Sequence, residues 1–265
     1  MCAHLLECTG LSMRFGGLMA LQSLDIHVDS HEVVGLVGPN GSGKTTFFNV
    51  VTGIYHPCAG KVMFNGQDIT GLSPQEVYRA GIARTFQRSR LCLDLTVFDN
   101  IMIGSHKTLD LSFMHNILQR KTFIKKYHEY EETAAALLRA LNPDLPGKLH
   151  HAVSELNMID RRRVELCRAL IGKPKLLFLD EPSAGMTHEE TQQLMDEIVR
   201  METGEAKPAI VLIEHEMNVI RRITSRCVVL NFGEKLCEGS YEKVTADPMV
   251  QEAYLGTEVC EDEQV

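Results

Sequence analysis

The stretch Gly38-Pro39-Asn40-Gly41-Ser42-Gly43-Lys44-Thr45-Thr46 limits the possible folds of this chain more than any other. It fits the spacing G-x-x-x-x-G-K-[ST] of a phosphate-binding loop. The apolar run Val33 to Val37 before it reads as a buried strand, and Thr46 to Val51 after it reads as the first turns of a helix. Strand, glycine loop and helix in that order are the context this loop requires; a glycine-rich turn before an ordinary helix has no need of the strand. Glycines let the backbone bend tightly and bring its N–H groups close to phosphate oxygens. The helix start adds about half a positive charge facing the same anion. In such a loop Lys44 reaches the β- and γ-phosphates, and the Thr45 hydroxyl ligates Mg²⁺.

The rest of the composition narrows the partners. The 265 residues suit one large α/β domain or two modest ones, and 44% hydrophobic residues are a globular composition. A formal net charge of -8 argues against nucleic acid as the main partner, because duplex binding needs a basic face. No apolar run approaches the roughly 20 residues of a spanning helix. Residues 1–10 carry no basic region followed by an apolar stretch. The cysteines (Cys2, Cys8, Cys58, Cys92, Cys167, Cys227, Cys237 and Cys260) never form C-x-x-C, which fits reduced thiols in the cytosol. His150-His151 is the only adjacent histidine pair and reads as a solvated loop, not a metal site.

Taken in order, Leu5 to Cys8 and Leu21 to Val28 read as strands, with Phe15-Gly16-Gly17 turning between them. Lys61 to Phe64 followed by Asn65-Gly66 reads as a strand entering a hairpin. Pro74 to Ala80 is a short helix capped by Ser73, and Ile82 to Phe86 is a strand ending at Gln87. From Thr96 to about Ala152 strand signals give way to helical runs, among them Val97 to Ile103 and Glu129 to Leu141. Arg161 to Leu170 is a further helix, whose Arg161-Arg162-Arg163 run reads as a solvated face. Strands at Lys175–Leu179, Ala209–Ile213 and Arg226–Asn231 then alternate with helices at Thr187–Met201 and Glu216–Thr224. That rhythm implies a largely parallel sheet covered on both faces. The expected organisation is an α/β core over 1–95 and 153–257, with an antiparallel β segment near its N-terminus. A helical insert occupies 96–152, and 258–265 form an acidic, disordered tail.

A second stretch carries chemistry. Leu176 to Leu179 leads into Asp180-Glu181, so a buried strand delivers two carboxylates to a sheet edge, where α/β proteins bind ligands. Asp180 suits Mg²⁺ held through water, and Glu181 suits orienting or deprotonating an attacking water. His215 follows the strand ending at Ile213, where it can hydrogen-bond a γ-phosphate. Gln87 also ends a strand; its amide suits Mg²⁺ or a water. Phe15, in the turn before the core, suits stacking on adenine or simple core packing.

Together these residues are similar to the ATP-binding cassette ATPases. Gly38–Thr46, Gln87, Asp180-Glu181 and His215 match that family's Walker A, Q-loop, Walker B and H-loop, and Ser183-Ala184-Gly185-Met186 sits where its D-loop lies. Within the family the chain looks most like the ATPases of branched-chain amino acid importers, the longer of the two. Phe15 to Leu21, Gly81 to Gln87, Asp247 to Gly256 and the extra helical residues around 109–130 carry that match. The resemblance implies ATP and Mg²⁺ as cofactors, a P-loop NTPase core and a second cassette as partner. It further implies two membrane permeases, indirectly a solute-binding protein, and a place on the cytoplasmic face of the plasma membrane. Lipopolysaccharide-export ATPases share some of these runs.

One motif departs from the family. Its signature, usually L-S-G-G-Q, falls here at Leu156-Asn157-Met158-Ile159-Asp160, within 153–170. In these ATPases the signature of one subunit closes over the nucleotide on the other's P-loop, with backbone N–H groups close to the γ-phosphate. Met158 and Ile159 add bulk there, Asp160 adds charge near a polyanion, and Asn157 still offers one donor. Losing a preorganised donor costs about 10²–10³ in rate. The expectation is an asymmetric heterodimer whose competent site is built on this chain's P-loop. The alternative is a regulatory cassette that binds ATP and hardly hydrolyses it.

Overall fold

The computed structural model describes residues 4–87, 89–105, 120–201 and 207–261. Strand β3 (Val33–Val37), buried at every position, sits inside a six-stranded sheet. The order is β10 (Glu234–Gly239), β9 (Arg226–Asn231), β3, β8 (Ala209–Ile213), β7 (Leu176–Asp180) and β6 (Ile82–Arg84). All pairs are parallel except β10 against β9. β7 and β8 are buried throughout, as their continuous apolar sequence requires of strands covered on both faces. The expected antiparallel segment is a second sheet: β2 (Leu18–Val28), β1 (Leu6–Phe15), β4 (Ala59–Phe64) and β5 (Gln67–Asp68). Its first two strands run on to the Gly16-Gly17 turn.

Helix α1 (Lys44–Val51) buries Phe47 and Phe48, and Phe48 meets Phe178 of β7 edge-on at 4.7 Å. These rings belong to one apolar cluster that also takes in Leu6, Leu21, Phe64 and Val211, so both sheets close over the P-loop helix. Ser73 caps α2 (Pro74–Ala80) with a reciprocal Ser73–Glu76 box.

The chain divides into two compact units. One holds both sheets and comprises Met1–Arg84, Lys175–Glu181 and Pro208–Val265. The other, Thr85–Pro174 with Pro182–Lys207, is helical. It contains α3 (Val97–Ile103), α4 (Arg120–Leu141), α5 (Met158–Leu170) and α6 (His188–Met201). It is wider than the 96–152 insert expected from the helical texture. The cause is packing: Arg163 of α5 donates to Glu197 of α6 at 2.9 and 2.6 Å.

Several local readings change. β6 stops at Arg84, so Gln87 lies in a bend beyond the strand. α5 starts at Met158 rather than Arg161, because Asn157 is its N-cap. The arginine run is not a solvated face: Arg162 is 8% exposed and Arg163 2%. Arg162 pairs with Glu165 at 2.8 Å and Arg163 with Asp160 at 2.6 Å. His150 and His151 are exposed and pair with Glu131 and Glu155. α7 (Met217–Ile223), α8 (Tyr241–Thr245) and α9 (Pro248–Glu261) complete the first unit. α9 carries the chain helically through 258–261, part of the expected tail. Residues 262–265, and 109–119 of the extra helical stretch, lie outside the described residues.

Candidate functional site

β3 delivers the chain into the glycine loop. At Gly38 φ is +146°, and an added Cβ would come within 2.1 Å of the Leu230 carbonyl oxygen, so no side chain fits. Gly43 has φ +106° and a would-be Cβ 2.7 Å from the Ala20 carbonyl oxygen. No side chain caps the first turn of α1, which leaves its leading N–H groups to an external acceptor. Ser42 Oγ is buried without a hydrogen-bond partner in the described structure, as a group that awaits a polar ligand would be. The Lys44 ammonium donates to the carbonyl oxygens of Gly38 at 2.6 Å and Pro39 at 3.0 Å. Burial pushes its pKa down; the Glu181 and Asp180 carboxylates act the other way.

These residues line a cavity of about 650 Å³, within the size range of small-ligand sites. Asn40 to Thr46 form its floor, Phe15 and Leu18 one side, and Glu181 faces in with them. Phe15 is 41% exposed and meets Tyr55 edge-on at 5.2 Å. It is therefore an aromatic wall of the cavity rather than a core side chain.

The acidic strand tip splits its two carboxylates by environment. Asp180 is 3% exposed and accepts from Arg84 Nη2 at 2.6 Å. Glu181 follows with φ +46°, a conformation that side-chain-bearing residues adopt at a cost of about 1–3 kcal/mol. Its backbone N–H donates to the Ile213 carbonyl at 3.0 Å. Its Oε1 lies 2.8 Å from Nε2 of His215, just beyond β8. Adjacent parallel strands thus bring a carboxylate and an imidazole, separated by 34 positions in sequence, into one hydrogen bond. A carboxylate held this way at the cavity can orient a water for in-line attack. The hydroxyl of Thr45 and the carboxylate of Asp180 are hard oxygen donors, a set that fits Mg²⁺.

The first unit thus assembles Phe15, Gly38–Thr46, Asp180, Glu181 and His215. Gln87 belongs to the second unit, where its carbonyl accepts from Arg162 Nη2 at 2.8 Å. Leu156–Asp160 is also there. Asn157 Oδ1 accepts from the Asp160 N–H at 2.9 Å, which leaves its amide N–H groups for another partner. Met158 is 50% exposed, with its methyl toward Gly185, while Ile159 is buried. The expectation that Asp160 presents charge outward is corrected. It is 3% exposed and faces Arg163, Lys148 and Asn142. At the third position of a helix whose cap is Asn157, its side chain turns inward.

Sequence reasoning missed Arg84, whose signal was a lone charge inside an apolar strand. It also missed Phe232, which lines the cavity at 79% exposure on a turn whose Gly233 N–H donates to the Ser42 carbonyl at 3.0 Å. A third was Tyr254, whose phenol is raised by burial and partly lowered by a hydrogen bond to the Gly38 backbone. Away from the cavity, His4, His27 and Asp29 cluster, but His4 Nδ1 and Asp29 Oδ1 already form a closed pair at 2.6 Å.

Comparison with known proteins adds to this geometry. Residues 21–184 match the family model "ABC transporter", and 234–260 match "Branched-chain amino acid ATP-binding cassette transporter". The chain is 38% identical over 255 residues to the Escherichia coli K12 high-affinity branched-chain amino acid transport ATP-binding protein LivG, covering 95% of this chain and 98% of LivG. It is 36% identical to BraF of Pseudomonas aeruginosa, with 95% and 98% covered. Among solved structures, a nucleotide-free ATP-binding cassette from an ABC transporter aligns with a TM-score of 0.81 at 29% identity, covering 95% of this chain and 99% of that one. The ADP conformation of MJ1267 aligns equally well, covering 96% and 99%.

Proposed function

This chain belongs to the ABC transporter family of ATP-binding cassettes, and from that premise we propose its role: it drives an importer of branched-chain amino acids or related small solutes. It is a transport-coupled ATPase of that family. The relatives' names and the match over 234–260 support the solute class. Two membrane permeases take up the motion, and a solute-binding protein supplies the cargo. The relatives' role in transport supports a place for this subunit on the cytoplasmic face of the membrane; no helix of the described residues is long and apolar enough to cross one.

The roles divide by atom. Lys44 and the free N–H groups at the start of α1 hold the β- and γ-phosphates, and the apolar wall at Phe15 takes the base. Thr45 and Asp180 would hold Mg²⁺, which when bound neutralises charge on the phosphate oxygens. Glu181 orients the attacking water and draws its proton, and His215 keeps Glu181 in line. The single observation that carries this reading is the 2.8 Å Glu181–His215 bond at the rim of the P-loop cavity. The test is ATP turnover by the purified chain, with Glu181→Gln as the variant that retains MgATP and stops hydrolysis.

Met158 and Ile159, standing where the family carries glycines, support a heterodimer. Because a signature serves the partner's nucleotide, the competent site is the one on this chain's P-loop, completed by a partner with intact glycines. Rapid hydrolysis by the lone chain contradicts this arrangement. Tight ATP-dependent dimerisation with slow turnover even beside the partner favours the second reading, a regulatory cassette, to which the same two residues point.

A further inference from the structure

Arg84 and Asp180 end neighbouring strands. Arg84 is the last residue of the α/β unit before the chain first leaves it, and Asp180 stands one residue before the later exit at Glu181. Arg84 Nη2 donates to Asp180 Oδ2 at 2.6 Å, and the two side chains are 7% and 4% exposed. The other arm, Nη1, donates to Asn49 Oδ1 at 2.6 Å and reaches Thr52 Oγ1 at 3.4 Å. The guanidinium carbon lies 5.3 Å from the centre of the Phe48 ring. Asn49 and Phe48 belong to α1, the helix that begins at Lys44, and Thr52 is its C-cap. One planar fork therefore joins the phosphate-binding helix, the end of β6 and the carboxylate at the tip of β7.

We propose that Arg84 is the positioning residue of the divalent-cation site: it grips Asp180 by one oxygen, so that the carboxylate meets the metal and its water in one set orientation. This rests on the reading above, in which Asp180 serves Mg²⁺. A carboxylate with neither oxygen constrained rotates about its last bond, and each binding event must then order it. A hold on one oxygen by a rigid group that is itself anchored to α1 supplies that order in advance. Lysine keeps the charge but offers a point donor in place of a fork, so it cannot span Asn49 and Asp180 together. The same bond ties together two places where the chain passes out of the α/β unit. Seating of the cation is thereby coupled to the strand that leads, three residues later, to Gln87.

The test uses the full chain with Arg84→Met and Arg84→Lys. Mn²⁺ replaces Mg²⁺ as a probe, and its binding in the presence of ATP is followed by electron paramagnetic resonance. Nucleotide affinity is measured separately in EDTA with a fluorescent ATP analogue. Removing a group that orients a metal ligand costs about 10–100-fold in metal affinity. We expect Arg84→Met to raise the half-saturating Mn²⁺ about tenfold and Arg84→Lys by about threefold. Metal-free nucleotide affinity stays within about twofold of the parent, since the P-loop is untouched. A folded variant with lowered thermal stability but parental Mn²⁺ binding overturns the proposal, because the pair is then structural only. Equal losses of metal-bound and metal-free affinity overturn it too, since α1 itself is then disturbed. Where Arg84→Met does not fold, Arg84→Lys decides by the same readouts. A parent chain that takes up no Mn²⁺ beside bound ATP is a different failure: it refutes the role of Asp180 on which the proposal stands.

Discussion

The P-loop helix α1 and the signature helix α5 both begin where this family handles phosphate, yet their first turns are occupied differently. α1 starts at Lys44 from a glycine, with no side-chain cap. α5 starts from Asn157, whose side chain bonds the Asp160 N–H, and Asp160 is itself consumed by Arg163. The first helix keeps its N-terminal donors for a ligand; the second commits one to its own cap and buries Ile159 and Asp160 behind it. A helix terminus is an anion site only while the protein leaves it unsatisfied. Of these two helices, α1 is the one whose first turn is left open to an anion.

The largest effect that sharpens this contrast is expected from Lys44→Ala. It removes the cation that lines the cavity and to which the phosphates are assigned above, so MgATP affinity should fall by about 10³ or more, read by nucleotide titration. A variant that still takes up MgATP as the parent does breaks the assignment of the α/β unit. Next comes Glu181→Gln, which keeps size and loses the carboxylate. Turnover should fall by about 10²–10⁴ with ATP affinity retained, measured by single-turnover hydrolysis. Glu197→Ala acts in the other unit and on stability instead of chemistry. It removes the two-bond partner of the Arg163 guanidinium, which is 2% exposed and keeps only Asp160, so thermal unfolding should report a loss of about 1.5–3 kcal/mol. Intact nucleotide affinity at low temperature would confirm that this pair serves stability alone. The smallest effect is that of Asn157→Ala, a lost N-cap worth about 1 kcal/mol by denaturant unfolding. If that variant instead raises ATP turnover of the lone chain, the cap has been competing with a nucleotide for the same donor.

Much of the fold was legible because its signals are local. Ser73 and Pro74 mark the start of α2, continuous apolar runs mark β3 and β8, and the boundaries of α3 and β9 agree to the residue. Where reading failed, a side chain's partner was far along the chain or a cap had been overlooked. Asn157 moved a helix start by three residues because its cap competes with the family pattern. Arg163 looks like solvent-facing charge in any window of α5, since nothing nearby announces the carboxylate of Glu197, 34 positions on.

By itself the sequence determined the phosphate loop, the acidic strand tip and the alternation of strands and helices. Each is written in contiguous residues whose glycine torsions, burial period or capping act over a few positions. Only the tertiary structure decided that Glu181 meets His215, that Asp180 is held by Arg84 96 positions away, and that Asp160 turns inward. The reason is the cost of burying charge. A carboxylate or guanidinium leaves water only when an opposite group is beside it, and strand order and helix packing decide which charged groups are buried together.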